Sequence, residues 1–136
     1  MSLCVRDLMT PDPLTLSARQ SLYDAWSCMR EQGFRHLPVT DDAGEIVGLL
    51  TDRDLLSTGI FSGEGELDIL DRLRQMRVSA AMVRHVELAE ADEPLADVAT
   101  KMLEGKLGCM PVVEGLQVVG ILTEADFVRY VADQAE

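Results

Sequence analysis

The chain has 136 residues, of which 47% are hydrophobic and 26% are charged. This composition is typical of a globular protein, and the length suits one compact domain or two intimate half-domains. Acidic residues outnumber basic ones by 24 to 12, and the net charge of −12 argues against nucleic acid as a partner. No apolar run reaches the length of a membrane span, so we expect no membrane association.

The cysteines and the N-terminal residues indicate a reducing compartment. Cys4, Cys28 and Cys109 are odd in number and widely spaced, which fits neither a disulfide framework nor a zinc site. The first residues do not form a signal peptide, and we therefore expect a cytoplasmic protein. Cys109 is predicted to be a packed small hydrophobe, with a redox sensor as the weaker alternative.

The first part of the chain predicts the order strand, helix, strand, strand, helix. A short strand is expected at residues 14–16, and the capping-box spacing of Ser17 and Gln20 predicts a helix start. Apolar residues at helical spacing follow, and Gly33 is expected to end this helix: they are Leu22, Ala25, Trp26 and Met29.

Two apolar runs at residues 37–40 and 46–50 flank a turn sequence and predict a β-hairpin. A second helix is expected to start at Thr51. Residues 58–77 are predicted to be a linker with a short helix at 67–76, on which apolar residues recur at helical spacing.

The second part of the chain repeats this order. A short strand is expected at residues 86–88, and Pro94 lies where the first turn of a helix accepts proline. A hairpin at residues 109–122 and a helix from Thr123 complete the copy. The predicted domains are therefore a first repeat at 1–57, the linker at 58–77 and a second repeat at 78–136.

One motif occurs in both repeats. It is Gly48-x-x-Thr51-x-x-Asp54 in the first and Gly120-x-x-Thr123-x-x-Asp126 in the second, each preceded by a Pro-Val pair. Met9 and Met82 lie 73 positions apart, as do Pro38 and Pro111. The chain is thus almost entirely a tandem duplication, and its function is expected to lie in what two such units build together.

In these residues the chain resembles the CBS domain, the regulatory module named after cystathionine β-synthase. The resemblance implies an α/β (α+β) fold of two tandem β-α-β-β-α repeats packed sheet to sheet with pseudo-twofold symmetry. It also implies two clefts between the repeats, in which many members bind AMP, ADP, ATP or another adenosyl ligand. Two such pairs commonly associate into a flat disc of four repeats.

The motif residues suit a nucleotide. Thr51 and Asp54 are expected at a helix start, where a carboxylate accepts hydrogen bonds from ribose hydroxyls and the helix N-terminus favours phosphate. Thr123 and Asp126 repeat this arrangement. Spacing alone favours a different interpretation, in which the threonine caps the helix and the acid returns to the backbone. The resemblance favours ligand binding, and one residue is able to do both.

By resemblance, the residues before Pro-Val in one repeat reach the phosphate bound at the other repeat's aspartate. Arg35 and His36 would then serve Asp126, whereas Gly108 and Cys109 offer no charge to Asp54. The Asp126 cleft is therefore expected to be the better nucleotide site, because charge-assisted contacts to phosphate are strong.

Several residues keep alternative interpretations. Arg53 and Lys106 would partly compensate at the Asp54 cleft. The alternative for Arg35 is an ordinary surface residue, and for His36 a packed strand residue. The base is expected, by resemblance, near Leu14 and Thr15 in one repeat and near Val86 and Glu87 in the other.

No catalytic arrangement is recognisable, no metal site is expected from the isolated histidines, and no cofactor is expected to be required. We expect a free-standing module that senses adenine nucleotide and signals to an unknown separate effector protein. The alternative is a structural or adaptor dimerisation module without a tight nucleotide ligand. A homodimer is expected through apolar helix faces, which carry Leu22, Trp26, Leu55, Leu56, Leu95 and Phe127.

Overall fold

The computed structural model describes residues 2–62 and 65–134, apart from the side chains of residues 66 and 67. In chain order these residues form α1 (Val5–Leu8), β1 (Thr10–Pro11), β2 (Leu16–Ser17), α2 (Leu22–Gln32), β3 (His36–Thr40), β4 (Ile46–Thr51), α3 (Asp52–Ser57), α4 (Glu66–Gln75), α5 (Val78–Ala81), β5 (Ala89–Glu90), α6 (Leu95–Gly105), β6 (Cys109–Glu114), β7 (Gln117–Thr123) and α7 (Glu124–Gln134).

The predicted β-α-β-β-α order is confirmed in both repeats, as β2-α2-β3-β4-α3 and as β5-α6-β6-β7-α7. The strands form a three-stranded sheet with the order β2-β3-β4 and a four-stranded sheet with the order β1-β7-β6-β5. The hairpins β3–β4 and β6–β7 are antiparallel, whereas β2 and β5 pair in parallel with the following strand. The fold is therefore of the mixed α/β class.

The two short strands lie further along the chain than the sequence predicts. Strand β2 begins where Leu16 pairs with Val39, and β5 begins where Ala89 pairs with Val112. Both first residues are buried, whereas Leu14 is exposed. Burial of the apolar side chain therefore fixes the start of each strand, and the expected strands at residues 14–16 and 86–88 are corrected accordingly.

The start of α2 is also corrected. The Gln20 side chain accepts a hydrogen bond of 2.8 Å from the Ser17 N–H, which closes a turn ahead of the helix. The N-cap is Ser21, whose hydroxyl accepts the Asp24 N–H at 3.2 Å. The predicted end is confirmed, because Gly33 adopts a φ of 74° that favours glycine.

In space the chain forms two compact units that do not coincide with the sequence repeats. One unit comprises the segment ending at Pro13 together with the segment from Glu87 onward, and the other comprises Leu14–Val86. Each unit therefore contains the N-terminal segment of the other repeat. Each also has its own apolar core, which includes Val5 in the first unit and Val78 in the second.

The glycine of the duplicated motif accommodates the segment received from the other repeat. A Cβ atom on Gly48 would lie 2.7 Å from the Met82 sulfur and 2.9 Å from the Val83 carbonyl oxygen. In the other unit, a Cβ atom on Gly120 would meet the Met9 side chain in the same way. The motif glycine and the upstream methionine are thus two halves of one packing arrangement.

The linker adds a helix to the second unit. Helix α4 confirms the prediction for residues 67–76 within one residue at each end, and it packs against α2. The Arg74 guanidinium carbon lies 4.5 Å from the centre of the Tyr23 ring, within cation–π range. Linker residues 63 and 64 lie outside the described residues. None of the helices described is both long and apolar enough to span a membrane.

Candidate functional site

The first copy of the motif forms a complete capping box. The Thr51 N–H donates to Asp54 Oδ2 at 2.8 Å, and the Thr51 hydroxyl accepts the Asp54 N–H at 3.1 Å. These reciprocal bonds satisfy two backbone donors at the start of α3. The capping interpretation of Thr51 and Asp54 is therefore confirmed as a description of their geometry, and the carboxylate remains only partly buried.

The second copy of the motif is different. The Thr123 N–H donates to Asp126 Oδ2 at 2.8 Å, and here the Thr123 hydroxyl also points to that oxygen, at 3.3 Å. The other oxygen, Oδ1, accepts from the Thr10 hydroxyl and from Arg129 Nη1, both at 2.9 Å. Asp126 is only 3% exposed, so its charge is compensated inside the first unit by these four donors.

The contrast between the two carboxylates follows from two sequence differences. Thr10 follows Met9 as Val83 follows Met82, and Arg129 lies three residues after Asp126 as Ser57 lies after Asp54. Val83 carries no side-chain donor, and the Ser57 hydroxyl donates to the Arg53 carbonyl oxygen at 2.8 Å. Among the described residues, Asp54 therefore accepts one hydrogen bond where Asp126 accepts four.

The predicted cationic residues surround the first motif in the second unit. His36 pairs with Thr51 across the β3–β4 hairpin, and the Asp52 N–H donates to the Arg35 carbonyl oxygen at 3.0 Å. Arg35 and Arg53 are exposed, whereas His36 is partly buried. The structure thus brings these three residues together with Thr51 and Asp54 in one unit.

Arg35 and His36 belong to the second unit, whereas Asp126 belongs to the first. Their expected pairing with Asp126 rests on the resemblance and stays a prediction. The expected advantage of the Asp126 cleft over the Asp54 cleft depends on that pairing and stays a prediction as well.

The residues expected near the base lie outside the strands. All four residues precede the strands β2 and β5 on which they were expected. The second unit contains Leu14, Thr15 and Val86, and the first unit contains Glu87. Leu14, Thr15 and Glu87 are exposed and Val86 is partly buried. Their backbone groups lie outside the sheet ladders, and their role toward a base stays a prediction.

Sequence reasoning missed Thr10 and Arg129 as neighbours of Asp126. The spacing of Asp126 and Arg129 on a predicted helix is a recognisable signal, because residues three apart face each other on a helix. Thr10 has no comparable local signal. Its contact with Asp126 depends on the pairing of β1 with β7, which joins distant parts of the chain.

An apolar groove of about 410 Å³ lies in the second unit beside Arg35. It is lined by residues of α2, α3 and the linker, among them Trp26, Leu56 and Phe61. Two of the residues expected at a dimer interface, Leu22 and Leu55, are instead buried in the unit's own core. Both side chains belong to the same buried cluster as hairpin residues such as Leu37 and Leu50. The prediction that Leu22 and Leu55 contribute to a dimer interface is therefore wrong.

Burial raises the pKa of the Cys109 thiol to about 12. This agrees with a packed residue in β6 and opposes the redox alternative, because the thiolate is the reactive form. Within residues 2–62 and 65–134, no cluster of three or more histidine, cysteine or acidic side chains is arranged to bind a metal ion.

Comparison with known proteins identifies relatives over nearly the whole chain. L-Aspartate semialdehyde sulfurtransferase of Methanocaldococcus jannaschii is 30% identical over 128 residues, which are 92% of this chain and 22% of that protein. The chain spans only 22% and 32% of the length of the first two curated relatives that it matches.

Two solved structures share both the fold and sequence similarity. The CBS domain pair of protein MJ0100, in complex with 5′-methylthioadenosine and S-adenosyl-L-methionine, has a TM-score of 0.81 and 27% identity, covering 98% of this chain and 99% of that one. CBSX2 in complex with AMP has a TM-score of 0.82 and 27% identity, covering 98% of each chain. A family model described as the CBS domain matches residues 5–59 and 78–133. The chain therefore belongs to the CBS domain family and carries two tandem copies of the domain.

Proposed function

We propose that this protein is a cytoplasmic regulatory module that binds an adenosine-containing ligand, such as AMP, ADP, ATP or S-adenosylmethionine, and signals its presence to a separate protein. The observation that carries the proposal is the duplicated Thr-x-x-Asp motif. In both units it directs an aspartate carboxylate to the point where a strand meets a helix. A carboxylate there is suited to accept hydrogen bonds from the two hydroxyls of a ribose.

The charges around the first motif suit the rest of a nucleotide. Arg35 and Arg53 are exposed cations close to Thr51 and Asp54 in a chain that is otherwise strongly acidic. Guanidinium groups bind phosphate by charge-assisted and often paired hydrogen bonds. A ligand with a ribose at the aspartate and a phosphate at an arginine would therefore meet complementary groups at both ends.

The solved relatives support the adenosyl class of ligand. CBSX2 was crystallised with AMP, and the MJ0100 pair with 5′-methylthioadenosine and S-adenosyl-L-methionine. These three molecules share adenine and a ribose with free 2′- and 3′-hydroxyls, and they differ in what the 5′-carbon of the ribose carries. The shared part is the part that an aspartate and backbone groups recognise, so we propose adenosine as the common element of the ligand here.

Regulation would proceed by population shift. A ligand that binds one arrangement of the protein more tightly than another raises the population of that arrangement, by an amount set by the difference in affinity. We propose that the protein acts as a homodimer and that an effector protein distinguishes the arrangements. The exposed apolar residues on the helices, such as Leu56 and Val128, suit such contacts.

A second candidate function is a structural or adaptor dimerisation module. The four donors at Asp126 favour it, because a carboxylate saturated by its own chain already has a structural role. The exposed apolar side chains favour it equally. This candidate differs from the first in one measurable respect, since it requires no tight ligand.

A thermal-shift screen separates the two candidates. AMP, ADP, ATP, adenosine and S-adenosylmethionine are each added to the protein, with GMP and inorganic phosphate as controls. A ligand that binds only the native state stabilises it by about 2.7 kcal/mol at a hundredfold excess over Kd, which raises Tm by roughly 10 °C for a domain of this size. The absence of a shift with every adenosine compound at millimolar concentration would favour the adaptor function.

A further inference from the structure

We infer that Arg129 competes with the ligand for Asp126 and thereby lowers the affinity of the second motif for ribose-containing molecules. The inference rests on the proposed function, because it concerns the ribose of an adenosine-containing ligand. The competition is specific to the second motif, since only the second copy has an arginine three residues after the motif aspartate.

The first step is the hydrogen-bonding capacity of Asp126. An ionised carboxylate has about four lone-pair positions, two on each oxygen. Oδ1 accepts from Thr10 and Arg129, and Oδ2 accepts from the N–H and the hydroxyl of Thr123. All of its acceptor positions are therefore used within the first unit, and a ribose hydroxyl binds only if one of these donors leaves.

The second step is which donor leaves. The Thr123 N–H is part of the backbone at the start of α7 and is fixed by the helix. The Thr10 and Thr123 hydroxyls are short and remain beside the carboxylate when they rotate. The Arg129 side chain is long and 63% exposed, whereas the Asp126 side chain is 1% exposed. Only Arg129 can move fully into water, where its charge is hydrated.

Among the residues that the structure describes, the first motif has no such competitor. Ser57 holds the corresponding position, and its hydroxyl donates to the Arg53 carbonyl oxygen rather than to Asp54. Asp54 accepts one hydrogen bond among the described residues, from the Thr51 N–H. It keeps acceptor positions for both hydroxyls of a ribose. The two motifs thus have the same residues but differ in the acceptor positions that are free for a ligand. A ribose at the second motif must first displace the ion pair between Arg129 and Asp126.

The exchange of these two residues provides a matched pair of variants. Arg129→Ser gives the second motif the residue of the first, and Ser57→Arg gives the first motif the residue of the second. Adenosine is titrated into each protein, and amide NMR signals of Thr123 and Asp126 report the second motif while those of Thr51 and Asp54 report the first. A parallel titration uses 2′,3′-dideoxyadenosine, which lacks both hydroxyls.

We expect Arg129→Ser to raise the affinity for adenosine at the second motif about tenfold, which corresponds to ~1.4 kcal/mol, and to leave the first motif unchanged. Ser57→Arg is expected to weaken adenosine binding at the first motif. Neither substitution is expected to change the affinity for 2′,3′-dideoxyadenosine, because this ligand does not compete for the carboxylate. Thermal unfolding of each variant establishes that it is folded.

The results that contradict the inference are distinct from those that contradict the proposed function. Adenosine binding by the unmodified protein, with equal or lower affinity at the second motif in Arg129→Ser, would overturn the inference alone. An equal gain for 2′,3′-dideoxyadenosine would also overturn it, since the effect would then not concern the ribose. No binding of adenosine by any of the three proteins would overturn both.

Discussion

The side chain of Met9 covers the backbone of Gly120, and Met82 covers Gly48 in the same manner in the other unit. The residue after each methionine pairs with the strand through its backbone: Thr10 pairs with Ile121, and Val83 with Leu49. The contact between the glycine and the methionine therefore explains why both occur in each repeat. The strand must lack a side chain where the segment from the other repeat crosses it.

We expect Gly120→Ala to destabilise the protein by about 1–3 kcal/mol, the usual cost of overpacking a well-filled site. The added methyl group would meet the Met9 side chain and lie 3.1 Å from the Thr10 carbonyl oxygen. Urea denaturation measures the change. Gly105→Ala, at the end of α6, is the control, because its methyl group would meet only the flexible side chain of Leu107, which follows that helix. Equal stability of Gly120→Ala and the unmodified protein would contradict this packing.

The two motif aspartates are expected to differ in their contribution to stability. Asp126→Asn is expected to cost about 2–3 kcal/mol, because a buried charged acceptor loses strong hydrogen bonds. The new amide nitrogen would also face donors from which the carboxylate oxygens now accept. Asp54→Asn is expected to cost about 0.5–1 kcal/mol, since this partly buried residue accepts one cap hydrogen bond from the part of the chain that the structure describes. Urea denaturation of both variants decides the order, and a larger loss at Asp54 would contradict the hydrogen bonding described here.

Much of the fold follows from local sequence patterns. The hairpins β3–β4 and β6–β7, the helix starts at Thr51 and Thr123 and the helix end at Gly33 agree with the structure because each depends on neighbouring residues. The two short strands begin later than the sequence predicts, because their position depends on a parallel partner, which local alternation does not reveal.

The exchange of N-terminal segments and the hydrogen bonding of Asp126 were not predictable in this way. The contact of Thr10 with Asp126 joins residues 116 positions apart, and sequence spacing carries no information about it. The motif itself was recognised through its duplication. Its unequal surroundings depend on the fold, which places Thr10 and Arg129 beside Asp126.

Cys109 is expected to resist alkylation in the native protein. Burial raises its pKa to about 12, above the ordinary value of a free thiol, so the unreactive thiol persists until the pH approaches that value. At pH 8 roughly one molecule in ten thousand then carries the thiolate. Iodoacetamide labelling followed by peptide mass spectrometry is expected to modify Cys4 before Cys109 and to modify all three cysteines in urea. Rapid labelling of native Cys109 would contradict this prediction and would favour a role of Cys109 as a redox sensor.

Arg35 is expected to distinguish phosphorylated ligands from adenosine. Arg35→Ala removes an exposed guanidinium beside the groove of the second unit, and the loss of a charge-assisted contact to phosphate costs about 1.5–3 kcal/mol. AMP binding should therefore weaken about ten- to a hundredfold while adenosine binding stays nearly unchanged. Calorimetry with both ligands measures this difference. Arg19→Ala, at an exposed arginine paired with Asp42, is the control. An equal loss of affinity for adenosine would indicate that Arg35 stabilises the fold and does not contact phosphate.

The predicted homodimer is expected to depend on the apolar side chains that the helices leave in water. Leu103 is 81% exposed, Val128 67% and Leu56 64%, and contact with a second copy would remove such apolar side chains from water. Leu56→Asp and Val128→Asp should therefore convert the dimer to a monomer in sedimentation velocity at low micromolar concentration. Leu116→Asp is the matched control, because Leu116 is also exposed but lies in the turn between β6 and β7.

The fluorescence of Trp26 gives an independent measure of the same association. It is the single tryptophan of the chain, and it lines the groove next to Leu56. If a second copy covers this face, dilution of the unmodified protein is expected to shift the Trp26 emission to longer wavelength as the ring becomes exposed. The shift should be absent in Leu56→Asp, which is already monomeric. A monomer in sedimentation at all concentrations, with or without nucleotide, would exclude the homodimer and the signalling mechanism that depends on it.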